Sequence, residues 1–490
     1  MADSILQARA EVHRSFDNLM QWAESSARRS FWEFEREAWS RLMTLGCAVA
    51  VLFLARAAAR PRPARYRHEG REYFLEGHRT SPLGTRFGKV SFRRLVGRRG
   101  GRQKTTCDLP VDRELDLCGG FSLGVVAPMV RLCAQLAFAS ARSTFAEFQG
   151  WAPSPRATLR MVDSVGERAR PFLEQLGRPE DDGEILVIQV DGKGAPMISE
   201  QEMQRRRRPH RKRSGTRRAG RRLRRREQPR KRRTKGKKSK NAKVAFVGVI
   251  YTLAKTPDGI EGPINKRLCA TFKSHDALFA WLRREADKRG YGRKRTLFIA
   301  EGLDHIWYQQ KRYFPNAEPC VDWWHIVEKL WVAGECLHKE ASEPLNQWIA
   351  KQTSRLRAGA VGTILREMSA ALAKIPMTGP GNKGRRARLA DVIAHIEKNR
   401  ERMPYREFRQ HDLDIGSGAA EGAVRNLVGM RLDGPGMRWG RGRSELVLHL
   451  RCILLNGQWS EFTSYLAKRG GLPLHSRPVP AETYDAKAAA

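Results

Sequence analysis

Residues 184–194 read EILVIQVDGKG, and the reading of this stretch decides the fold. Ile185 to Val190 form a short, nearly continuous apolar run, the pattern of a strand buried on both faces of a sheet. The run ends in a carboxylate, Asp191. Two further stretches repeat the theme: EPCVDWWHIVEKLW at 318–331 carries Asp322 where a strand gives way to a helix, and GSGAAEGAVRNLVGMRLDGPGMRW at 416–439 carries Glu421 at a helix start. The chain has a net charge of +40, so it attracts phosphate. Acidic side chains gathered on such a chain repel one another unless a divalent cation lies between them, which points to metal-dependent chemistry on nucleic acid.

Outward from residue 184 the pattern is α/β. Apolar runs at 242–253 and 265–272 read as strands. A helix follows at 275–290, a strand at 295–301, a helix at 303–314 stopped by Pro315, and a strand at 318–323. Helical periodicity continues to about Arg400, with a loop at GPGNKGRR (379–386). A new helix starts behind Gly416-Ser417, and a last apolar one, SELVLHLRCILL, ends near Trp459. Before residue 184, residues 5–60 read as helix, and Pro61 to Gly101, rich in Gly and Arg, as short hairpins. Helices resume from Leu123. A break near Gly150-Trp151 and a Ser154-Pro155 start resemble a helix-turn-helix that carries Arg156 and Arg160 toward a groove, although many helical hairpins with this pattern never touch DNA.

Between the first two core strands lies an extraordinary insertion. Arg205 to Lys243 holds 23 Lys or Arg and one acid, Glu227, and supplies about half the net charge. Self-repulsion and the lack of apolar residues leave such a segment disordered until an anion binds, so Arg205, Arg206, Arg207 and Arg208 are read as phosphate contacts. Arg431, Arg438 and Arg441, interspersed with glycines, are a second candidate phosphate clamp.

At 490 residues, with 92 basic and 52 acidic side chains, the chain suits about two to four structural units and a nucleic-acid partner. An anionic membrane is the competing explanation for the charge. The only apolar candidate, Leu42 to Ala55, falls short of the ~20 residues a span needs and reads as a buried helix, so no membrane partner is expected. No secretory signal is evident at the start. Eight scattered cysteines without a CxxC pair fit a reducing compartment, hence a cytoplasmic, nucleoid-associated protein. Cys107 and Cys118 lack the partner pair of a zinc site.

VIQVDGKG, EGLDHIWYQQKRYFPNAEPCVDWWHIVEKLW and GSGAAEGAVRNLVGMRLDGPGMRWGRGRSE, in this order, resemble the DDE transposases of bacterial insertion sequences, most closely the ISKra type related to the Mutator-like group. The resemblance runs from about Glu184 to Trp459. It implies an RNase H-like catalytic core with a helical insertion, two Mg2+ (or Mn2+) ions, and cleavage and strand transfer on double-stranded DNA at element ends and target, by a homo-oligomer assembled on DNA. On this resemblance Asp191 matches the first catalytic Asp and Glu421 the final Glu. The second acid of the family sits in an Asp-Gly that here reads Glu301-Gly302. Glu301 is therefore the first candidate for the middle ligand, Asp322 the second, and Asp304, one turn on, a substitute. His325 matches the second member of the family's Asp/Cys-x-x-His motif, which supports the site or contacts DNA; a buried, hydrogen-bonded histidine is the other reading. Trp323 and Trp324 are expected to pack in the core, with base stacking as the alternative.

The expected organisation is thus a helical region (1–60), a basic hairpin segment (61–101), a helical, helix-turn-helix-like region (102–180), the first part of the core (181–330, interrupted by 205–243), a helical insertion (331–412), the final core helices (413–460) and a disordered tail (461–490). The rival functional reading is a non-catalytic, transposase-derived DNA-binding protein, with Glu301 as the feature that favours it. An RNA-binding role resting on the Arg-rich block alone would leave the ordered motifs unexplained. One consequence follows from the block itself. Deleting residues 205–240 is expected to weaken DNA binding for all sequences and to flatten the dependence of log affinity on log salt, with each phosphate contact worth about 0.9 in slope. Binding titrations over a range of salt concentrations check this, and an unchanged slope rules the block out as a DNA contact.

Overall fold

The computed structural model describes residues 2–25, 29–99, 107–199, 202, 242–434, 437–470, 472 and 474. The Arg-rich block, with Arg205 to Arg208, lies outside the described residues apart from 242 and 243. The fold is mixed α/β, and the chain divides into two compact units: Met1–Leu173 together with the stretch from Gly457, and Glu174–Asn456.

In the first unit, α1 (Ala2–Ala23) and α2 (Phe31–Ala58) pack on each other, and Ser30 and Glu33 close a capping box at the start of α2. A meander follows: β1 (Arg65–His68), β2 (Arg71–Gly84), β3 (Lys89–Arg98) and the two-residue β4 (Cys107–Asp108), antiparallel and in sequence order. β2 runs for 14 residues, so the hairpins are longer than expected. The end of α2 lies on this sheet, where Leu54, Ala57 and Ala58 join Leu83, Val90, Phe92 and Val111 in one core. Much of α2 is nonetheless uncovered. The expected buried helix of 14 residues is instead a 28-residue helix with large apolar side chains on its surface, long and apolar enough by composition to cross a membrane.

After α3 (Pro110–Glu114), three helices follow where two were expected: α4 (Leu123–Gln135), α5 (Phe138–Gln149) and α6 (Pro155–Gln175). Gly150, at φ 71°, ends α5 in the left-handed conformation that glycine adopts without strain, and the Ser154 hydroxyl accepts from the Ala157 N–H to start α6. The tail also departs from expectation. Trp459–Arg469 is a helix, α17 in chain order, not a disordered segment. Its Phe462 and Tyr465 rings lie 5.1 and 5.4 Å from that of Phe172, which places it with the first unit.

The second unit is built on a five-stranded sheet in the order β7-β6-β5-β8-β9: β5 (Ile185–Pro196), β6 (Ala242–Thr256), β7 (Gly259–Thr271), β8 (Arg295–Ala300) and β9 (Glu318–Val321). β5 is central, antiparallel to β6 and parallel to β8; β6 and β7 are antiparallel and β8 and β9 parallel. The apolar run of 185–190 is buried throughout, as its lack of alternation requires. Helices α7 (His275–Lys288) and α8 (Asp304–Tyr313) follow β7 and β8. Then come α9 (Trp323–Leu337), α10 (Glu343–Arg357), α11 (Val361–Lys374), α12 (Asn382–Lys398) and the short α13 (Tyr405–Gln410). The expected loop at 379–386 shrinks to its first residues, because α12 already begins at Asn382. α14 (Gly418–Val424) passes through a π-helical turn, Arg425–Gly429, into α15 (Met430–Leu432), and α16 (Arg441–Leu455) ends the unit.

α16 is pinned to the end of β7 by a buried carboxylate. Glu445 accepts from Thr271 Oγ1 at 2.6 Å and from the Phe272 N–H at 2.7 Å, with His449 Nε2 at 3.2 Å. Burial pushes its carboxyl up, but the charge and hydrogen bond of His449 and the two other donors outweigh that and hold it at about 2, against 4.5 for a free carboxyl. Its stabilisation is therefore present above pH 4.5 and lost as the pH falls toward about 2. Glu445→Ala is expected to cost about 3–5 kcal/mol near neutrality, as breaking a buried pair does, with the gap to the parent chain narrowing across that acid window. Urea-unfolding midpoints over a pH series measure both.

Candidate metal centre

The register of the larger sheet builds the site. The last paired residues of its three parallel strands are Val190 with Ala300, and Ala300 with Val321. Asp191, Glu301 and Asp322 are each the next residue, so three acids stand at one level along one edge. Because side chains alternate on a strand, they share a face with Gln189 and Cys320. That face looks onto the segment entering α14: Gln189 Nε2 donates to Gly416 O at 3.2 Å, its Oε1 accepts from the Ala420 N–H at 2.9 Å, and Trp323 N–H donates to Ile415 O at 3.0 Å. Glu421, next to Ala420, is thereby held on the side of the sheet that bears Asp191.

Asp191 departs from its expected place at the end of a strand. β5 continues through Pro196, and Asp191 and Gly192 pair with Val247 and Phe246 of β6. What ends there is the parallel neighbour, which leaves the Asp191 carboxylate at the open edge. Lys193, on the same face two residues on, lies 3.7 Å from Asp433; nothing in its surroundings in the chain marks it beyond its place beside the acid.

Asp322 is the most constrained member, with 0 % exposure. Its backbone N–H donates to Ala300 O at 2.9 Å. Its carboxylate caps α9 by accepting from the His325 N–H at 3.2 Å, and accepts from the Ser417 N–H at 2.8 Å. The His325 ring binds the same carboxylate through Nδ1, and its Nε2 lies 4.0 Å from Glu301. Ser417 Oγ donates to Glu421 at 3.4 Å. Ligand atoms of Asp322, His325 and Glu421 all lie within 4.8 Å of one another. Gly416 permits this crowding, since a Cβ there would sit 3.3 Å from the Trp324 ring and 3.6 Å from Asp322 Oδ1.

The electrostatics divide the acids. Burial, aided by the charge of Asp322, pushes the Asp191 carboxyl up. Burial acts on Asp322 in the same direction, but hydrogen bonds from the His325 ring and the Ser417 N–H outweigh it and hold that carboxyl below the usual range. His325 rises to about 9, chiefly through its bond to Asp322 and against burial, with Glu301 and Asp191 adding to the effect. The histidine is thus hydrogen-bonded but only half-buried, its side chain 30 % exposed, and it sits within the acidic cluster.

The remaining expected site residues scatter. Asp304, the substitute ligand, is exposed and ion-paired with Lys398, so it does not join the cluster. Arg431 is only 2 % exposed, its guanidinium 4.6 Å over Trp439, and is withdrawn from the phosphate clamp; Arg438 and Arg441 are exposed. Arg156 is exposed and Arg160 half-buried on α6 of the other unit. Trp323 packs edge-on against Tyr405 at 5.1 Å, whereas Trp324 is 57 % exposed, contrary to its expected place in the core. Comparison with protein-family models and with curated proteins found no match for the chain.

The group that could hold a cation is Asp322, His325 and Glu421, with Asp191 at the same level on β5 and Glu301 4.0 Å from His325; its carboxylate oxygens are the donors a hard divalent cation takes. Mn2+ binding followed by isothermal titration is expected to weaken at least ~10-fold in Asp322→Asn and in Glu421→Gln, a loss at least as large as outer-shell changes cause. It should be unchanged in Asp304→Asn. Equal loss in all three would show that the cluster is not the binding site.

Proposed function

We propose that this chain is a DDE-type transposase that cleaves and joins DNA strands at the ends of an insertion sequence, and that its larger sheet is an RNase H-like core. The observation that carries the reading is the alignment of Asp191, Glu301 and Asp322 at one level of three adjacent parallel strands, with Glu421 brought to the same face by α14. A sheet in which β5, β6 and β7 form an antiparallel meander while β8 and β9 run parallel to β5 on its other side supports the core assignment. The net charge of +40 and the resemblance of the three ordered motifs support DNA as substrate.

Within this reading Asp322, not Glu301, is the preferred middle ligand. It lies with Glu421 and His325 in the compact cluster, and His325 and Ser417 fix its orientation. In this reading the longer side chain of Glu301 stands beside the cluster, 4.0 Å from His325. A divalent cation bound here would polarise the scissile phosphate and activate the attacking oxygen. The protein's own share is positioning. Gln189 holds the 416–420 segment against β5, Asp322 holds Ser417, Ser417 reaches Glu421, and Lys193, Arg438 and Arg441 offer cations to the flanking phosphates. The small residues around Glu421 leave room for a DNA backbone.

The test is Mg2+-dependent nicking of DNA carrying the terminal repeats that flank the gene. Asp191→Asn, Asp322→Asn and Glu421→Gln are each expected to lose at least ~100-fold in rate while DNA binding is kept, beyond the ~10–100-fold cost of outer-shell changes. Glu301→Gln should lose less than Asp322→Asn. A parent chain that binds DNA but never cuts it would favour the non-catalytic DNA-binding protein instead.

A further inference from the structure

The N-terminal helical pair leaves an apolar row uncovered. The covered positions of α1, namely Ile5, Ala8, Val12, Ser15, Leu19 and Trp22, repeat at intervals of three and four and form the seam with α2. The far end of α2 is committed to the sheet through Leu54, Ala57 and Ala58. A third side of α2 carries Trp32, Trp39, Leu42, Val49 and Phe53, spaced by seven, three, seven and four, the a and d positions of a heptad. These five side chains are 64, 52, 45, 48 and 56 % exposed. At the missing position stands Gly46, where an added Cβ would meet the Phe87 ring at 2.4 Å, so Phe87, itself 44 % exposed, continues the row.

We infer that this row is a self-association surface, on which α2 of a second copy of this chain lies antiparallel about a two-fold axis near Thr44. Three observations argue for that occupant. The row exposes on the order of 600 Å² of apolar side chain, taking ~150–250 Å² for each aromatic. That is the upper end for a monomer's largest patch, ~300–600 Å², and with its polar flanks approaches the ~800 Å² each partner gives to a stable interface. A two-fold contact must also be self-complementary: Glu33 closes the capping box and Glu37 pairs with Arg41, which leaves Glu35 near the start of α2 to meet Arg56 in its last turn. Antiparallel pairing sets Glu35 beside Arg56 of the second copy and bulky Trp39 opposite the smaller Val49. Finally, a bilayer is a poor occupant. Its aromatic end is interleaved with Glu33, Glu35, Arg36, Glu37 and Arg41, charged side chains that a bilayer interior would have to take up. The inference is independent of the phosphoryl-transfer reading, since it requires association without DNA.

Sedimentation equilibrium of the full chain, freed of nucleic acid at high salt, tests it. The expected mass is twice 55.7 kDa, and Trp39→Glu/Phe53→Glu should sediment as a monomer with its circular dichroism unchanged. If that variant fails to fold, the single change Val49→Lys serves in its place. Arg56→Glu should weaken the dimer several-fold, and adding Glu35→Arg should restore it. A parent chain that is monomeric at all concentrations, or a folded variant as dimeric as the parent, overturns the inference. So does flotation of the parent chain with phosphatidylcholine–phosphatidylserine vesicles that the variant loses, since a membrane would then be the occupant.

Discussion

The buried carboxylate of Asp322 joins the parts of the second unit that make up its candidate site. It caps α9, binds the His325 ring and accepts the Ser417 N–H, while its own backbone extends the β8–β9 pairing by donating to Ala300. A carboxylate with no solvent exposure is tolerated only when its lone pairs are satisfied, and here the donors come from different pieces of chain. The consequence is geometric. Ser417 is fixed by Asp322 and in turn reaches Glu421, so the last acid is located by the middle one. Gln189 supplies the second tether, from the central strand to the same segment. Two polar links spanning 95 and 231 residues of sequence therefore determine where an otherwise small-residue helix start lies.

Much of this was legible in the sequence, and the limits have physical causes. The run 185–190 declared a buried strand because it does not alternate, and the acids stood out because each follows an apolar run or opens a helix. The continuation of β5 was not legible. Residues 192–196, GKGAP, have little strand propensity, and pairing with 242–246 across the basic block holds them extended. The burial of Arg431 was equally hidden. A glycine-rich, arginine-rich segment reads as a phosphate clamp, and only the tertiary fold sets that guanidinium over Trp439. α17 is legible only in the light of its packing: Trp459, Phe462 and Leu466 lie at helical spacing, whereas the Pro- and Ala-rich residues beyond them carry no such pattern.

The same limit governed the choice between Glu301 and Asp322. Both follow strands, and both stand at the level of Asp191. What separates them is what comes next in the chain. After Glu301, Gly302 is crowded by α12, where a Cβ would lie 2.7 Å from His395, and the acid itself remains at the rim. After Asp322 a helix begins at once, so the carboxylate turns inward as its cap and one turn later meets His325. Adjacent residues on that helix are about 100° apart, which is why Trp323 packs on Tyr405 while Trp324 faces solvent.

Charge explains why the cluster persists in a chain of +40 without flying apart. Long-range attraction from distant lysines and arginines is screened within about 10 Å in ordinary salt, so the carboxylates must be balanced locally. His325 does this, its proton held by Asp322 and favoured by Glu301 and Asp191. The environments then push the acids apart: Asp322, hydrogen-bonded on both oxygens, stays ionised, while Asp191, half-buried with fewer donors, holds a proton more readily. A site whose carboxylates differ in this way has one fixed anion that organises the backbone and one whose charge answers to what binds beside it. A cation entering the cluster meets Asp322 already oriented, and its charge does for Asp191 what burial opposes.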